Sequence, residues 1–295
     1  MRSLRARILG SAITLTTLVT TGVLVQPVAA SPLYSSVVLA DNPVAYYRLG
    51  ESPARTTAVD SSPFGRNGTY VGPVTRGLPG AIVDDPNTAA VFPGSDAAAV
   101  SIPGAAFNFG NNFTLEAWVI NDGGTGISRV ISNRQTAGIA AGFGFGVLGD
   151  GRLRFTTFGI QDYDTSPGVV VPQDGQYHHV VVTFDTGNDA HFYVDGNFRQ
   201  TVLGTQAARD SVSDLNIGRN PVASPITGSF EPWNGRIDEV AVYNYVLSAG
   251  QIANHFQAGI APAGTAIPEP SAVALLGLGT LGLLGYAWRR RRQPA

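Results

Sequence analysis

The chain of 295 residues contains no cysteine and no lysine. Without thiols there is no disulfide framework, no thiolate-bound metal and no thiol chemistry, so a hydrophobic core or an oxygen-bound metal has to hold the fold. Without lysine there is no Lys-based nucleophilic catalysis, and no Ser-His-Asp pattern stands out around the four histidines. His178 and His179 are neighbours on a strand-like run, which sends their rings to opposite faces and prevents them from chelating one ion as a pair. Charge is scarce as well, at 14% of residues. Setting aside the seven arginines of the two end segments leaves twelve arginines against twenty acids between Ser31 and Ile260, a balance of minus eight. A domain of that sign argues against nucleic acid as a partner. Long apolar runs are missing from this interior too and occur only at the two ends.

Residues 1–30 begin with Arg2, Arg5 and Arg7, continue through an apolar, Thr-rich stretch from Ile8 to Val25 and close on Val28-Ala29-Ala30. That is the layout of a secretory signal peptide, which implies export and removes the segment from the fold. At the other end Pro268-Glu269-Pro270 precedes an apolar run from Ser271 to Trp288, followed by Arg289, Arg290, Arg291 and Arg292. The run is long enough to cross a bilayer as a transmembrane helix, with the arginines on the cytoplasmic side. These three features in order resemble the PEP-CTERM sorting signal of Gram-negative bacteria. The resemblance covers residues 268–295 and implies an inner-membrane intermediate, cleavage near Pro268–Pro270 by an exosortase, and release or attachment at the cell surface or in the extracellular matrix. A plain C-terminal anchor is the alternative. Residues 261–267, built from Ala, Pro, Gly, Thr and Ile, read as a linker. The remaining residues, 31–260, suit one β-sandwich or barrel domain.

Within that domain the dominant signal is a period of two. Ala45–Glu51 is strand-like, Asp60–Gly68 is rich in turn residues, and Thr69-Tyr70-Val71 returns as a strand. Ala89–Phe92 and Ala99–Ile102 read as a hairpin around a polar loop. Phe113–Ile120 is apolar on both alternating sets, as expected of a strand covered on two sides, with Trp118 in the core. Arg129–Ser132, Gly142–Leu148, Leu153–Phe158, His178–Phe184 and Ala190–Val194 continue the series, and Asp195-Gly196 predicts a type I′ turn into a returning strand. Ser248 with Gln251 three residues on is a capping box for a helix that buries Ile252, His255 and Phe256 against Tyr243 or Tyr245 and stops at Gly259. These elements predict an all-β, two-sheet antiparallel jelly-roll sandwich with one short C-terminal helix.

Gly235–Tyr245 reads as the central strand. Strict alternation puts Asp238 with Val240 and Val242, opposite Ile237, Ala241, Tyr243 and Tyr245. A carboxylate on such a face needs a cation, an arginine or backbone N–H groups to answer it. Together with Tyr46–Glu51, Asp60-Ser61-Ser62, Asn67–Tyr70, Phe113–Val119, Tyr177–Asp185, Phe192–Gly196 and Leu247-Ser248, this strand resembles the laminin-G-like jelly roll of the concanavalin A-like lectin/glucanase group. The resemblance spans roughly Asp41 to Gly259. It implies a Ca²⁺ held by Asp238 together with oxygens of the early turn near Glu51 and Gly68, a hard-cation donor set. The group includes carbohydrate-binding modules, adhesion domains and glycosidases, so the fold leaves the function open.

For ligand contact the sequence offers Tyr163, Phe158 and Trp233 as rings able to stack on sugars, with Asp162 and Asp164 as polar neighbours. The indole of Trp233, on a loop entering the central strand, either caps the sandwich or stands exposed. For catalysis the laminarinase-type members of the group carry a Glu-apolar-Asp-apolar-Glu strand that aims its acids at one face, and nothing here fits it. Glu116 is alone in its strand, and alternation points Asp238 and Glu239 to opposite faces. The expectation is therefore an exported, non-catalytic surface or matrix protein that binds carbohydrate or another extracellular polymer. The alternatives are a glycoside hydrolase of the same group and a structural protein without a specific ligand.

Overall fold

The computed structural model describes residues 33–262 apart from 105 and 106; the segment read as a signal peptide, the sorting tail and most of the linker lie outside the described residues. In chain order the first half comprises α1 (Tyr34–Ala40), β1 (Ala45–Tyr47), β2 (Thr57–Ala58), β3 (Gly68–Val71), β4 (Thr75–Pro79), β5 (Thr88–Pro93), β6 (Ala99–Ile102), β7 (Phe113–Asn121) and β8 (Ile127–Ser132). The second half comprises β9 (Phe143–Leu148), β10 (Leu153–Thr157), β11 (Gln161–Asp164), β12 (His178–Phe184), β13 (Ala190–Val194), β14 (Asn197–Val202), β15 (Leu215–Ile217), β16 (Asn234–Tyr243) and α2 (Ala249–Ile260).

The strands form two antiparallel sheets of eight. One runs β14-β13-β12-β7-β16-β5-β4, with β1 also paired to β16; the other runs β11-β10-β9-β8-β15-β6-β3-β2. Their inner faces meet in one core in which Phe113 lies 5.0, 5.9 and 5.5 Å from Phe143, Phe155 and Phe184. The double-sided apolar character of β7 has a simple cause. Phe113, Leu115, Ala117 and Val119 enter this core, while Trp118 joins a second cluster, on the outer face of the first sheet, beneath α1 and α2. α2 carries the Ser248–Gln251 capping box, runs one residue past Gly259 to Ile260, and sets His255 6.2 Å from the Tyr243 ring. A Cβ on Gly259 would fall 2.4 Å from Trp118 Cζ2, so only glycine lets the helix lie this close to the sheet.

Three expectations are corrected. Ala89–Phe92 and Ala99–Ile102 are not a hairpin, because β5 joins the first sheet and β6 the second, the intervening loop crossing between layers. Tyr163 is not presented for stacking, because Asp162-Tyr163-Asp164 belongs to edge strand β11, whose pairing with β10 turns the ring into the core. The third concerns β16. Asp238 faces Trp118 and Ala241 faces Glu116, so Glu239 and Val240 together stand opposite Ala117 in a β-bulge, with Glu239 at φ 51°. The extra residue shifts the alternation. Ile237, Val240 and Val242 share the inter-sheet core, whereas Asp238 and Glu239 both reach the 80–87 segment on the outer side.

Candidate functional site

The outer face of the second sheet carries a pocket of about 490 Å³. Its floor follows from alternation along β8, β9 and β10. Leu153 and Phe155 point into the core, leaving Arg154 and Thr156 on the outside. On β9 the outward positions are Gly144 and Gly146, which carry no side chain over the sheet. A Cβ on Gly144 would sit 3.1 Å from Phe158 Cζ and 3.2 Å from Arg129 Nη1, which shows that the glycine makes room for that ring and that guanidinium. Ile127, Ile160 and the highly exposed Ile226 supply apolar walls.

Three arginines line the pocket, and each is matched by an acid. Arg129 Nε donates to Glu231 Oε2 at 2.6 Å and its Nη1 to Gly144 O at 3.3 Å and Thr156 Oγ1 at 3.1 Å. Arg134 Nη1 donates to Glu231 Oε1 at 3.2 Å. Arg154 makes two 2.5 Å bonds to Asp164 and lies 3.4 Å from Asp162, which also accepts from Thr156 at 2.7 Å. Burial alone would raise the Glu231 carboxyl; the charges and hydrogen bonds of Arg129 and Arg134 outweigh it and hold the group below the usual carboxylate range. The Phe158 ring lies under both guanidiniums, 5.3 Å from Arg129 Cζ and 4.8 Å from Arg134 Cζ.

Of the residues expected to touch ligand, Asp162 lines this pocket and Asp164 stands behind it on Arg154. Tyr163 and Trp233 do not reach the site. Both are 0% exposed in the inter-sheet core, so neither ring can stack on a sugar, and Trp233 takes the capping role. Phe158 also lines the pocket but is buried, with its face taken by the arginines. Sequence reasoning passed over Arg129, Arg134, Arg154 and Glu231. The usable signal was the Phe-Gly-Phe-Gly run at 143–146, whose glycines empty one face of a strand.

Each residue expected to hold Ca²⁺ is engaged within the protein. Asp238 accepts from the Ala81 N–H at 2.8 Å and the Glu239 N–H at 3.0 Å, the backbone solution to a buried carboxyl. Glu51 is engaged by the Val59 N–H at 2.7 Å and the Tyr70 hydroxyl at 2.6 Å, and Gly68 pairs with Ala58 in the second sheet. Burial and the neighbouring Glu239 push the Asp238 carboxyl well above its ordinary range. Among the described residues no group of three or more His, Asp or Glu side chains is arranged to hold a metal.

The other acids named for catalysis lie far from this pocket in the fold, under the helices of the first sheet. Glu116 accepts from His179 Nε2 at 2.7 Å and His255 Nδ1 at 3.0 Å. Glu239 accepts from Arg48 Nε at 3.0 Å, Asn87 Nδ2 at 3.1 Å and the Tyr46 hydroxyl.

The pattern of the concanavalin A-like lectin/glucanases superfamily, in its laminin-G form, matches residues 93–253, more than half of the chain. The chain belongs to this superfamily. The PEP-CTERM protein-sorting motif matches residues 266–292, which marks the protein for export through the membrane to the surface of a Gram-negative cell and for handling by an exosortase. Among curated proteins none matches the chain. Among solved structures, domain 4 of AbnA, a GH43 extracellular arabinanase from Geobacillus stearothermophilus in complex with arabinotriose, is 17% identical with a TM-score of 0.51, over 73% of this chain and 98% of that one. A Trypanosoma rangeli sialidase mutant displaying trans-sialidase activity is 19% identical with a TM-score of 0.54, over 74% of this chain. The binding domain of botulinum neurotoxin serotype G is 14% identical with a TM-score of 0.53, over 73% of this chain. The chain spans only about a third of the sialidase and half of the toxin domain. At these identities the superfamily member and its neighbours share the fold alone.

Proposed function

We propose that this superfamily member is a non-catalytic surface or matrix protein that binds extracellular carbohydrate in the pocket on its second sheet. The observation that carries this reading is the pocket itself, with apolar walls from Ile127, Ile160 and Ile226 around a floor of paired donors and acceptors. Sugar rings offer apolar C–H surface and a rim of hydroxyls, and a concave site with a few fixed polar groups suits them. An arabinanase domain of the same fold crystallised with arabinotriose supports the reading by analogy. Screening the protein against bacterial and plant polysaccharides tests it. Gly144→Val, which drives a side chain into Phe158 and Arg129, is expected to weaken binding at least tenfold. Equal binding by this variant would place the ligand elsewhere.

The pocket holds two carboxylates, Asp162 and Glu231, so hydrolysis is the competing reading. Glycoside cleavage needs one carboxyl kept protonated as general acid. Glu231 is held in the opposite state by Arg129 and Arg134. No new reducing ends are expected when the protein is incubated with β-glucans, xylan, agar and alginate; turnover lost in Glu231→Gln would establish an enzyme.

The sorting motif yields an independent expectation. The exported protein should lack Ser271–Ala295 or most of it, read by mass spectrometry of the intact mature form. A mature chain ending at Ala295 in a strain with an active exosortase would make the tail an ordinary anchor.

A further inference from the structure

The arginines of the pocket suggest an acidic ligand at first sight, but their exposure reverses that conclusion. The side chains of Arg129, Arg134 and Arg154 are 2%, 9% and 15% exposed, whereas those of Asp162 and Asp164 are 48% and 29% exposed. The cations are recessed and the acids stand forward. Each guanidinium is also already engaged, with Glu231 shared by Arg129 and Arg134 and both aspartates on Arg154. An incoming carboxylate or sulfate would find each of these cations already neutralised by an acid, and displacing Glu231 would strand a buried charge. The surrounding domain adds its own negative balance.

We propose that the pocket selects uncharged, hydroxyl-rich sugar chains and discriminates against polymers bearing uronate or sulfate groups. This deepens the carbohydrate reading above and rests on it. An ionised carboxylate accepts hydrogen bonds and has none to give. Asp162 is therefore matched by a hydroxyl, which brings a proton, and is opposed by a ligand anion, which brings only charge. With Arg154 3.4 Å from it, an acceptor and a donor stand side by side at the rim, the complement of two adjacent sugar hydroxyls. Arg129 and Arg134 then act as fixed supports that hold Glu231 and the Phe158 ring in place, rather than as anion receptors.

The test uses the full chain, purified in detergent, against immobilised β-glucan, xylan, arabinan, alginate, polygalacturonate and dextran sulfate at 50 and 500 mM NaCl. A neutral polymer is expected to bind at least tenfold tighter than any anionic one, with less than a twofold change across the salt range, because screening has little net charge to act on. Asp162→Asn/Asp164→Asn, which leaves the arginines unanswered at the rim, is expected to lose neutral binding and gain salt-sensitive binding of an anionic polymer. Preference of the unaltered protein for alginate, polygalacturonate or dextran sulfate, falling steeply with salt, would overturn the inference and leave the carbohydrate reading standing. Binding to no polymer would remove both. Because the first arm needs no variant, a double variant that fails to fold does not remove the test.

Discussion

Glu116→Gln is expected to destabilise the protein by roughly 3–5 kcal/mol, the usual cost of removing one partner from a buried charge pair. The Glu116 side chain has no exposure and binds two histidines that are themselves fully buried, His179 from β12 and His255 from α2. His255 also reaches Asp41 at 2.9 Å, so a single imidazole ties the C-terminal helix to the sheet and to the residue that ends α1. Burial would lower the His255 pKa, but Glu116 and Asp41 raise it, while the two histidines draw Glu116 far below its ordinary range despite burial. The glutamine leaves that imidazolium with the partly exposed Asp41 as its remaining counter-charge. For a domain of this size the loss corresponds to a fall in Tm of roughly 6–20 °C. Chemical denaturation measures it directly, and a variant within about 0.5 kcal/mol of the parent would show that apolar packing alone holds α2.

The same groups set the pH dependence. His255 is raised from 6.5, so its contribution is complete below that value and is lost as pH rises through the folded pKa. Glu239, pushed up from 4.5 to about 7 by burial, acts in the same direction, because ionising it inside the fold costs more than ionising it in the unfolded chain. Glu116 is lowered from 4.5, so its contribution is present above that value and is lost as pH falls below it. Stability should therefore peak at about pH 4.5, where the Glu116 contribution is complete and the Glu239 loss begins, and decline on both sides. In Glu116→Gln the acid limb should shrink.

Arg129→Met carries the second large effect, again roughly 3–5 kcal/mol, together with loss of glycan binding. The guanidinium is the shared donor to Glu231, Gly144 O and Thr156 Oγ1, and burial already presses its pKa downward against the pull of Glu231. Removing it takes one donor from the Gly144 carbonyl and from Thr156 Oγ1 and leaves Glu231 with Arg134 as its one remaining cation. The double variant Arg129→Met/Glu231→Met should recover part of the stability, since a buried ion pair replaced by apolar groups of similar volume is often close to neutral. It should not recover binding, because the paired charges are what orient the floor. Additive losses in stability would show that the two residues do not act as a unit.

Much of the architecture was legible along the chain. Alternation located β7, β8, β9, β10, β12 and β13, Asp195-Gly196 adopts positive φ at both positions as a type I′ turn requires, and the Ser248–Gln251 box starts α2 where expected. These signals are local, written in residues a few positions apart. The short elements β2, β4, β15 and α1 were missed; α1 has no side-chain cap, so little in its own seven residues marks a helix. The strand taken as central is central, lying between β7 and β5 in its sheet.

The sequence by itself determined the sandwich, the exclusion of thiol and lysine chemistry and the sorting motif at the C-terminus, since each rests on composition or on short-range order. Only the tertiary structure decided which acids and aromatics are functional candidates. One inserted residue in β16 turned Asp238 and Glu239 to the same side, and a two-stranded edge turned Tyr163 inward, because a period-two pattern cannot announce its own bulge. The pocket joins Arg129, Arg154 and Glu231 from β8, β10 and the loop before β16, residues up to 102 positions apart in the case of Arg129 and Glu231. Whether an arginine offers charge to a ligand or spends it on a neighbour depends on which acid folding sets beside it, and that is a property of the packed sheets rather than of the residue.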